Sequence, residues 1–340
     1  MKRHGNLWPR IVAWENLELA YRKARRGKSR MLNVQRFDAN WEQNLRVIRD
    51  LLVTQTFRTS RYGVKFVFEP KFRQIYVLPF FPDRIVQHAL LNILEPIWDK
   101  ILIDQSYSCR KGKGVTAGHH HIAAAVRKYR YCLKCDVSKF YPSIDHDIMY
   151  SVVERKIKCP QTLWLLHEII HSFPGEKNVP IGNYTSQWLA NLYMDIVDRW
   201  AVQDLRVEYL RYCDDFAFFS NDKDQLNYIK ANLPPFLMET RKLTLSKNDL
   251  FPCSRGLDFL GYRFFPNGCI LLRKRTARAL KRRMRRIARN ISYGENPYHY
   301  QSAVASAAGL LKWCNSYNLR KSVRLPWLIK KTGISPRIGV

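Results

Sequence analysis

Tyr209-Leu210-Arg211-Tyr212-Cys213-Asp214-Asp215-Phe216-Ala217-Phe218-Phe219 sets two adjacent carboxylates between two apolar, aromatic runs. Such runs favour extended strands, so residues 207–220 are expected to form a hairpin with Asp214 and Asp215 at its tip. Two neighbouring acids are costly to desolvate without a counter-charge. Interior strands would carry them into a pocket rather than onto a mobile loop. A third acid, Asp136, ends another mostly apolar run that begins at Tyr131. One acid at a strand end and an acid pair on a neighbouring hairpin make a hard-oxygen set, the kind that binds magnesium together with substrate phosphates. Two such ions can stabilise the attacking and leaving oxygens of an in-line displacement. Phosphoryl transfer otherwise needs little besides positioning and positive charge.

Working outward, residues 1–60 carry Leu17, Tyr21, Leu45, Ile48 and Leu52 at helical spacing, with bases crowded from Arg22 to Arg30. Residues 64–78 alternate as a strand pair around Glu69-Pro70-Lys71, and residues 84–98 have a helical pattern. Tyr131 to Val137 reads as a strand, 145–157 and 161–171 as helices, Pro180-Ile181-Gly182 as a loop and 186–200 as a strong helix. Leu257 to Phe264 reads as one more strand, closed by the Pro266-Asn267-Gly268 turn. From Arg273 to Asn290 there are ten basic residues and no acid. Leu280, Met284, Ile287 and Ile291 mark the apolar side of an amphipathic helix whose other face is positive. A second helical stretch follows at 300–317. The irregular alternation of strands and helices predicts an α+β fold.

Charge narrows the function. The 340 residues hold 58 Lys and Arg against 28 Asp and Glu, a formal net charge of +30. That excess points to a polyanionic partner, while 46% hydrophobic residues are enough to build a core. No apolar run reaches the length of about 18 that suggests a membrane span. No apolar stretch follows the basic Met1 to Arg10, so no secretory signal is expected. The eight scattered cysteines suit reduced thiols and a cytoplasmic location. Cys132 and Cys135 are expected as packed strand residues rather than metal ligands. His119, His120 and His121 cannot converge on one metal from adjacent helical positions; a helix start facing solvent or RNA is expected there.

Tyr212-Cys213-Asp214-Asp215 resembles the Y-x-D-D box of reverse transcriptases. Asp136 to Tyr141 resembles their first palm motif, and Asp83-Arg84-Ile85-Val86-Gln87 their D-R-I-V-Q helix. Leu243-Thr244-Leu245-Ser246-Lys247 and the Phe259-Leu260-Gly261-Tyr262 primer-grip strand follow in the family's order. The resemblance covers about residues 1–320. It implies a right-hand polymerase fold: a basic helical extension at 1–60, fingers at 61–130, a palm at 131–265 with fingers helices inserted near 145–180, and a helical thumb at 266–340. It implies that Asp136, Asp214 and Asp215 are catalytic and hold two Mg2+ ions, replaceable by Mn2+, with the Val137 carbonyl as a further ligand. Lys71 and Arg73 would hold the incoming triphosphate. Tyr141 would be the gate against a ribose 2′-OH. Ile181, Gly182, Gln187 and Lys247 would line the deoxynucleotide site, with Lys247 a candidate general acid. Arg110, Lys111, Phe259, Leu260, Gly261, Lys281, Arg282 and Arg285 would meet template and primer.

The loop Pro180-Ile181-Gly182-Asn183-Tyr184-Thr185-Ser186-Gln187 has Ile and Gln where most relatives carry Gln and Pro. That form resembles the reverse transcriptases of diversity-generating retroelements, as do Lys2-Arg3-His4, Trp14-Glu15-Asn16-Leu17 and Ala20-Tyr21-Arg22-Lys23. The resemblance implies copying of a template-repeat RNA into cDNA with misincorporation at adenines, and a small basic pentameric accessory variability protein as partner. No room is expected for an endonuclease, an RNase H or a long maturase extension. Two alternatives stay open: a retron- or defence-type enzyme that copies accurately, and a non-catalytic RNA-binding scaffold.

Overall fold

The computed structural model describes residues 3–68 and 72–334. Among these, β1 (Gly63–Val67) and β2 (Arg73–Val77) pair as an antiparallel ribbon, with Phe66 opposite Gln74 and Val67 opposite Arg73. β3 (Tyr131–Val137), β4 (Glu208–Tyr212), β5 (Asp215–Ser220) and β6 (Leu245–Pro252) form a four-stranded sheet in the order β4-β5-β3-β6. β7 (Leu257–Phe259), β8 (Tyr262–Phe264) and β9 (Ile270–Leu272) make an antiparallel three-stranded sheet.

The chain divides into two compact units, each drawn from three separate stretches. The first comprises Met1–Gly114, Lys134–Ala217 and Tyr228–Asp249. Its N-terminal helix Trp14–Arg25 buries Leu17, Ala20, Tyr21 and Ala24. That helical spacing makes one apolar face, which packs on the Ile85–Asp99 helix. The buried Asn16 pins the pair, its Nδ2 donating to the Ile11 and Ala89 carbonyls at 2.9 and 3.0 Å. Asp145 caps the His146–Glu154 helix by accepting from the Ile148 N–H at 3.1 Å. The Tyr184–Arg199 helix is buried on nearly every side, including Trp188, Leu192, Tyr193 and Val197. Such a helix belongs inside a domain.

The second unit comprises Val115–Leu133, Phe218–Asn227 and Leu250–Val340. Its Val115–Lys128 helix packs on β8, and this corrects one expectation. His119 does not face solvent or RNA: it is 6% exposed and meets the Tyr262 ring edge-on at 4.7 Å. Gly118, Ile122 and Val126 define the buried face that takes it inward. The Lys274–Ser292 helix buries Leu280, Met284, Ile287 and Ile291 and leaves Arg282, Arg283, Arg285 and Arg286 exposed, as its pattern predicts. The strand expected over 257–264 is instead a hairpin. Leu260 (φ 46°) and Gly261 (φ 88°) both take the left-handed region, as a two-residue turn between twisted strands requires. Lys223–Arg241 is a helix that patterning does not announce, because Pro234 and Pro235 stand inside it. The stretch at 300–317 resolves into Gln301–Lys312 and a separate Tyr317–Ser322 helix.

Candidate functional site

Only Cys213 and Asp214 join β4 to β5. Cys213 takes φ 60°, a region that a non-glycine residue enters at a cost. The Val137 N–H donates to the Asp214 carbonyl at 3.2 Å. That bond brings the end of β3, and Asp136 with it, against the acid turn. Ser246 Oγ donates to Asp136 Oδ2 at 2.7 Å and so aims that carboxylate. Burial pushes the Asp214 carboxyl above its usual value and the neighbouring Asp136 adds to the rise, while Arg73 pulls it down. Burial raises Asp215 to about 6, partly offset by Lys134. The Lys134 ammonium lies 3.2 Å from Asp215 Oδ1. That oxygen is buried and has no aligned hydrogen bond, so the contact is chiefly charge to charge.

Tyr141 sits in a short helix, Phe140–Ser143, that starts just past β3 after Lys139 turns through φ 44°. Phe140 is buried and anchors it. The Tyr141 hydroxyl lies 3.3 Å from Cys213 Sγ. Burial, with Cys213 beside it, holds the phenol well above its usual pKa, so the ring stays neutral. The glycine loop hangs on the ribbon: the Tyr76 N–H donates to the Ile181 carbonyl at 2.9 Å. Gly182 has φ 122°, and a Cβ there would meet the Tyr76 carbonyl oxygen at 2.4 Å and Ile75 Cγ2 at 2.9 Å. Glycine alone fits. Ser186 Oγ closes the loop by donating to the Pro180 carbonyl at 2.7 Å. Gln187 is exposed in the first turn of the helix that follows. Asp136, Val137, Asp214, Asp215, Tyr141 and Arg73 are thus brought together, with Ile181 and Gly182 joined to the strand that carries Arg73.

Other expected site residues fare differently. Lys71 lies outside the described residues. Lys247 is exposed on β6, and strand alternation turns it away from the face on which Ser246 meets Asp136. Arg110 is not available as a template contact. Its side chain is 4% exposed, bonded through Nε to Asp99 Oδ1 at 2.6 Å and through Nη1 to the Ile103 and Ser106 carbonyls. Lys111, next to it, is exposed. Phe259 is fully buried in the second unit, so only the Leu260–Gly261 tip of that hairpin is presented. Lys281 is half-exposed, and Arg282 and Arg285 are exposed on the basic helix.

The structure adds residues that motif reading passes over. Arg211 is fully buried. It grips Asp198 with Nε at 2.7 Å and Nη2 at 2.6 Å, and its Nη1 donates to the Cys213 carbonyl at 3.1 Å. A lone arginine or lysine in an apolar strand was the available signal, for Arg211 and Lys134 alike, since a buried charge requires a partner.

The acids suit a divalent cation. All their donors are hard oxygens, and Asp136 repels Asp214, which a cation would relieve. Among the described residues no three or more His, Cys, Asp or Glu side chains already form an ion cage. That fits an ion whose shell is shared with substrate phosphates.

Residues 68–264, more than half of the chain, match the sequence model of the family described as "Reverse transcriptase (RNA-dependent DNA polymerase)". The chain belongs to the reverse transcriptase family. Its relatives include Protein YkfC of Escherichia coli K12, 26% identical over 58% of this chain and 63% of that protein. The group II intron-encoded protein LtrA of Lactococcus lactis is 24% identical over 37% of this chain and 22% of its own. The chain therefore spans less than two thirds of the length of each. Apo telomerase from Candida tropicalis, 12% identical, matches with a TM-score of 0.52 over 82% of this chain and 57% of that one. The reverse transcriptase chain thus has the right-hand polymerase fold. No helix among its described residues is long and apolar enough to cross a membrane.

Proposed function

We propose that the chain is an RNA-directed DNA polymerase of a diversity-generating retroelement, copying a template-repeat RNA into cDNA with errors at template adenines. The observation that supports polymerisation most is the Val137 N–H bond to the Asp214 carbonyl, which sets Asp136 beside the acid turn. In this reading Asp136, Asp214 and the Val137 carbonyl hold two Mg2+ ions, or Mn2+, with Asp215 in support. When bound, such ions stabilise the attacking and leaving oxygens of the displacement. Arg73 meets the triphosphate, and Tyr141, braced on Cys213, excludes a 2′-OH. Residues 1–60 act as the basic extension, 61–130 as fingers, 131–265 as palm and 266–340 as thumb. The partners are the RNA, its cDNA, deoxynucleotides and a small basic accessory protein, and the setting is cytoplasmic.

Ile181 supports the mutagenic subtype. A glutamine there could hydrogen-bond near the nucleotide sugar, whereas isoleucine offers bulk only. Each lost polar contact is worth about 1 kcal/mol, enough to loosen discrimination. The test is to incubate the protein with the RNA encoded beside it, with and without the neighbouring accessory protein, and to sequence the cDNA. Adenine-directed errors that fall in Ile181→Gln are expected. Accurate copying by the wild type would favour the retron- or defence-type reading, and no extension at all would reject the polymerase.

A further inference from the structure

None of the residues that line the two largest grooves of the first unit belongs to the acid site. One groove, of about 810 Å3, presents Arg3, Arg155, Lys156, Arg199 and Arg241 against two acids, Asp195 and Glu154. The other, of about 640 Å3, presents His4, Arg10, Lys100 and again Arg199, with no carboxylate in its lining, over apolar surface that includes Ile97.

The shared cations are held in place rather than waving in solvent. The His4 N–H donates to the Lys156 carbonyl, and the Lys158 N–H to the His4 carbonyl, both at 2.8 Å. Arg3 Nη2 donates to the Ile157 carbonyl at 2.9 Å. The N-terminal arm is therefore stitched down as a wall. Arg199, common to both grooves, donates from Nε to Asp195 Oδ2 and from Nη2 to the Ile101 carbonyl, each at 2.8 Å. Arg241 is 9% exposed and donates from Nε to the Tyr193 carbonyl at 2.7 Å.

Fixed cations in excess repel one another, and a polyanion relieves that repulsion while losing little of its partner's freedom. Arg199 and Arg155 add to the burial that already weakens the Lys156 charge. Two grooves meeting at one arginine suit a chain of phosphates better than a single phosphate. Apolar surface beside the cations suits the sugars and bases between them.

We propose that the two grooves form one track for the phosphate backbone of the RNA that the enzyme copies, with Arg199 at the junction. The proposal rests on the polymerase reading above and adds a second hold on the RNA. Arg10, Lys100 and Arg155 are all exposed, so exchanging them leaves the core intact. The test uses the full chain with Arg10→Glu, Lys100→Glu and Arg155→Glu combined, and a companion triple variant to Gln. Fluorescence polarisation against the structured template RNA should show at least tenfold weaker binding. The slope of log affinity against log salt should flatten by about 2, since each lost phosphate contact removes just under one unit. Extension of a short pre-annealed DNA primer on an RNA oligonucleotide should stay within twofold of wild type. Unchanged RNA affinity and slope in both variants would overturn the track. So would ATP binding that is lost in the variants while RNA affinity holds, because the ligand would then be a free ribonucleotide. The two readings fail separately: a wild-type protein unable to extend any primer on RNA rejects the polymerase and leaves the affinity comparison standing.

Discussion

At the scale of single residues, the site depends on backbone positions that side-chain chemistry alone would not reveal. Gly182 is the sharpest case. A methyl group there would sit 2.4 Å from the Tyr76 carbonyl oxygen, so the loop must retreat. Displacements near 1 Å cost on the order of 10²-fold in catalysis. Gly182→Ala is therefore expected to cut kcat/KM for deoxynucleotide by about that factor with RNA affinity unchanged; a variant within twofold of wild type would show the close approach to be unimportant. His88 offers a pH handle. Its ring stacks on Tyr184 at 4.3 Å, and burial, then the charges of Arg84, Lys28 and Lys23, push it from 6.5 down to about 4. A folded value below the unfolded one means that stability is complete above pH 6.5 and is lost as pH falls toward 4. The loss amounts to at most about 3 kcal/mol. Urea midpoints should fall between pH 7 and pH 5, and His88→Phe should flatten that fall. Equal pH dependence in both proteins would assign it elsewhere.

At the scale of elements, much was legible in the sequence. The hairpin at 207–220, the ribbon around residue 70, the Tyr184–Arg199 helix and the basic amphipathic helix each carry a clear period or an acid between apolar runs, and each forms. Harder to read were features decided by turns and by distant partners. The Leu260–Gly261 turn splits one apparent strand in two, and Pro234 and Pro235 mask a helix. Arg110 reads as a phosphate-facing loop charge because its partners, Asp99 and the Ile103 and Ser106 carbonyls, cannot be paired with it from spacing alone. His119 was misplaced because a histidine run looks polar until Tyr262 covers one ring. The hairpin supplies its own test. Gly261 takes φ 88°, a conformation that costs other L-residues about 1–2 kcal/mol. Gly261→Val should destabilise the protein by about that much in urea titration. No change would mean that this turn tolerates a β-branched residue.

At the scale of the whole molecule, the net charge of +30 predicts a steep salt response. Between about 50 and 200 mM salt, RNA affinity should fall by on the order of 10³-fold or more, as for a protein that releases several counterions. A nearly flat titration would contradict the assignment of that charge to phosphates. One bond described above also has a mechanical meaning. The amide of Tyr76 holds the carbonyl of Ile181, while three residues before Tyr76 the same strand presents Arg73 to Asp214. One short lever thus joins a triphosphate handle at one end to the loop that lies against the sugar at the other. A nucleotide that draws Arg73 inward pulls on Ile181 in the same stroke, so charge recognition and shape recognition are felt as a single tension, and slack anywhere in that line is error.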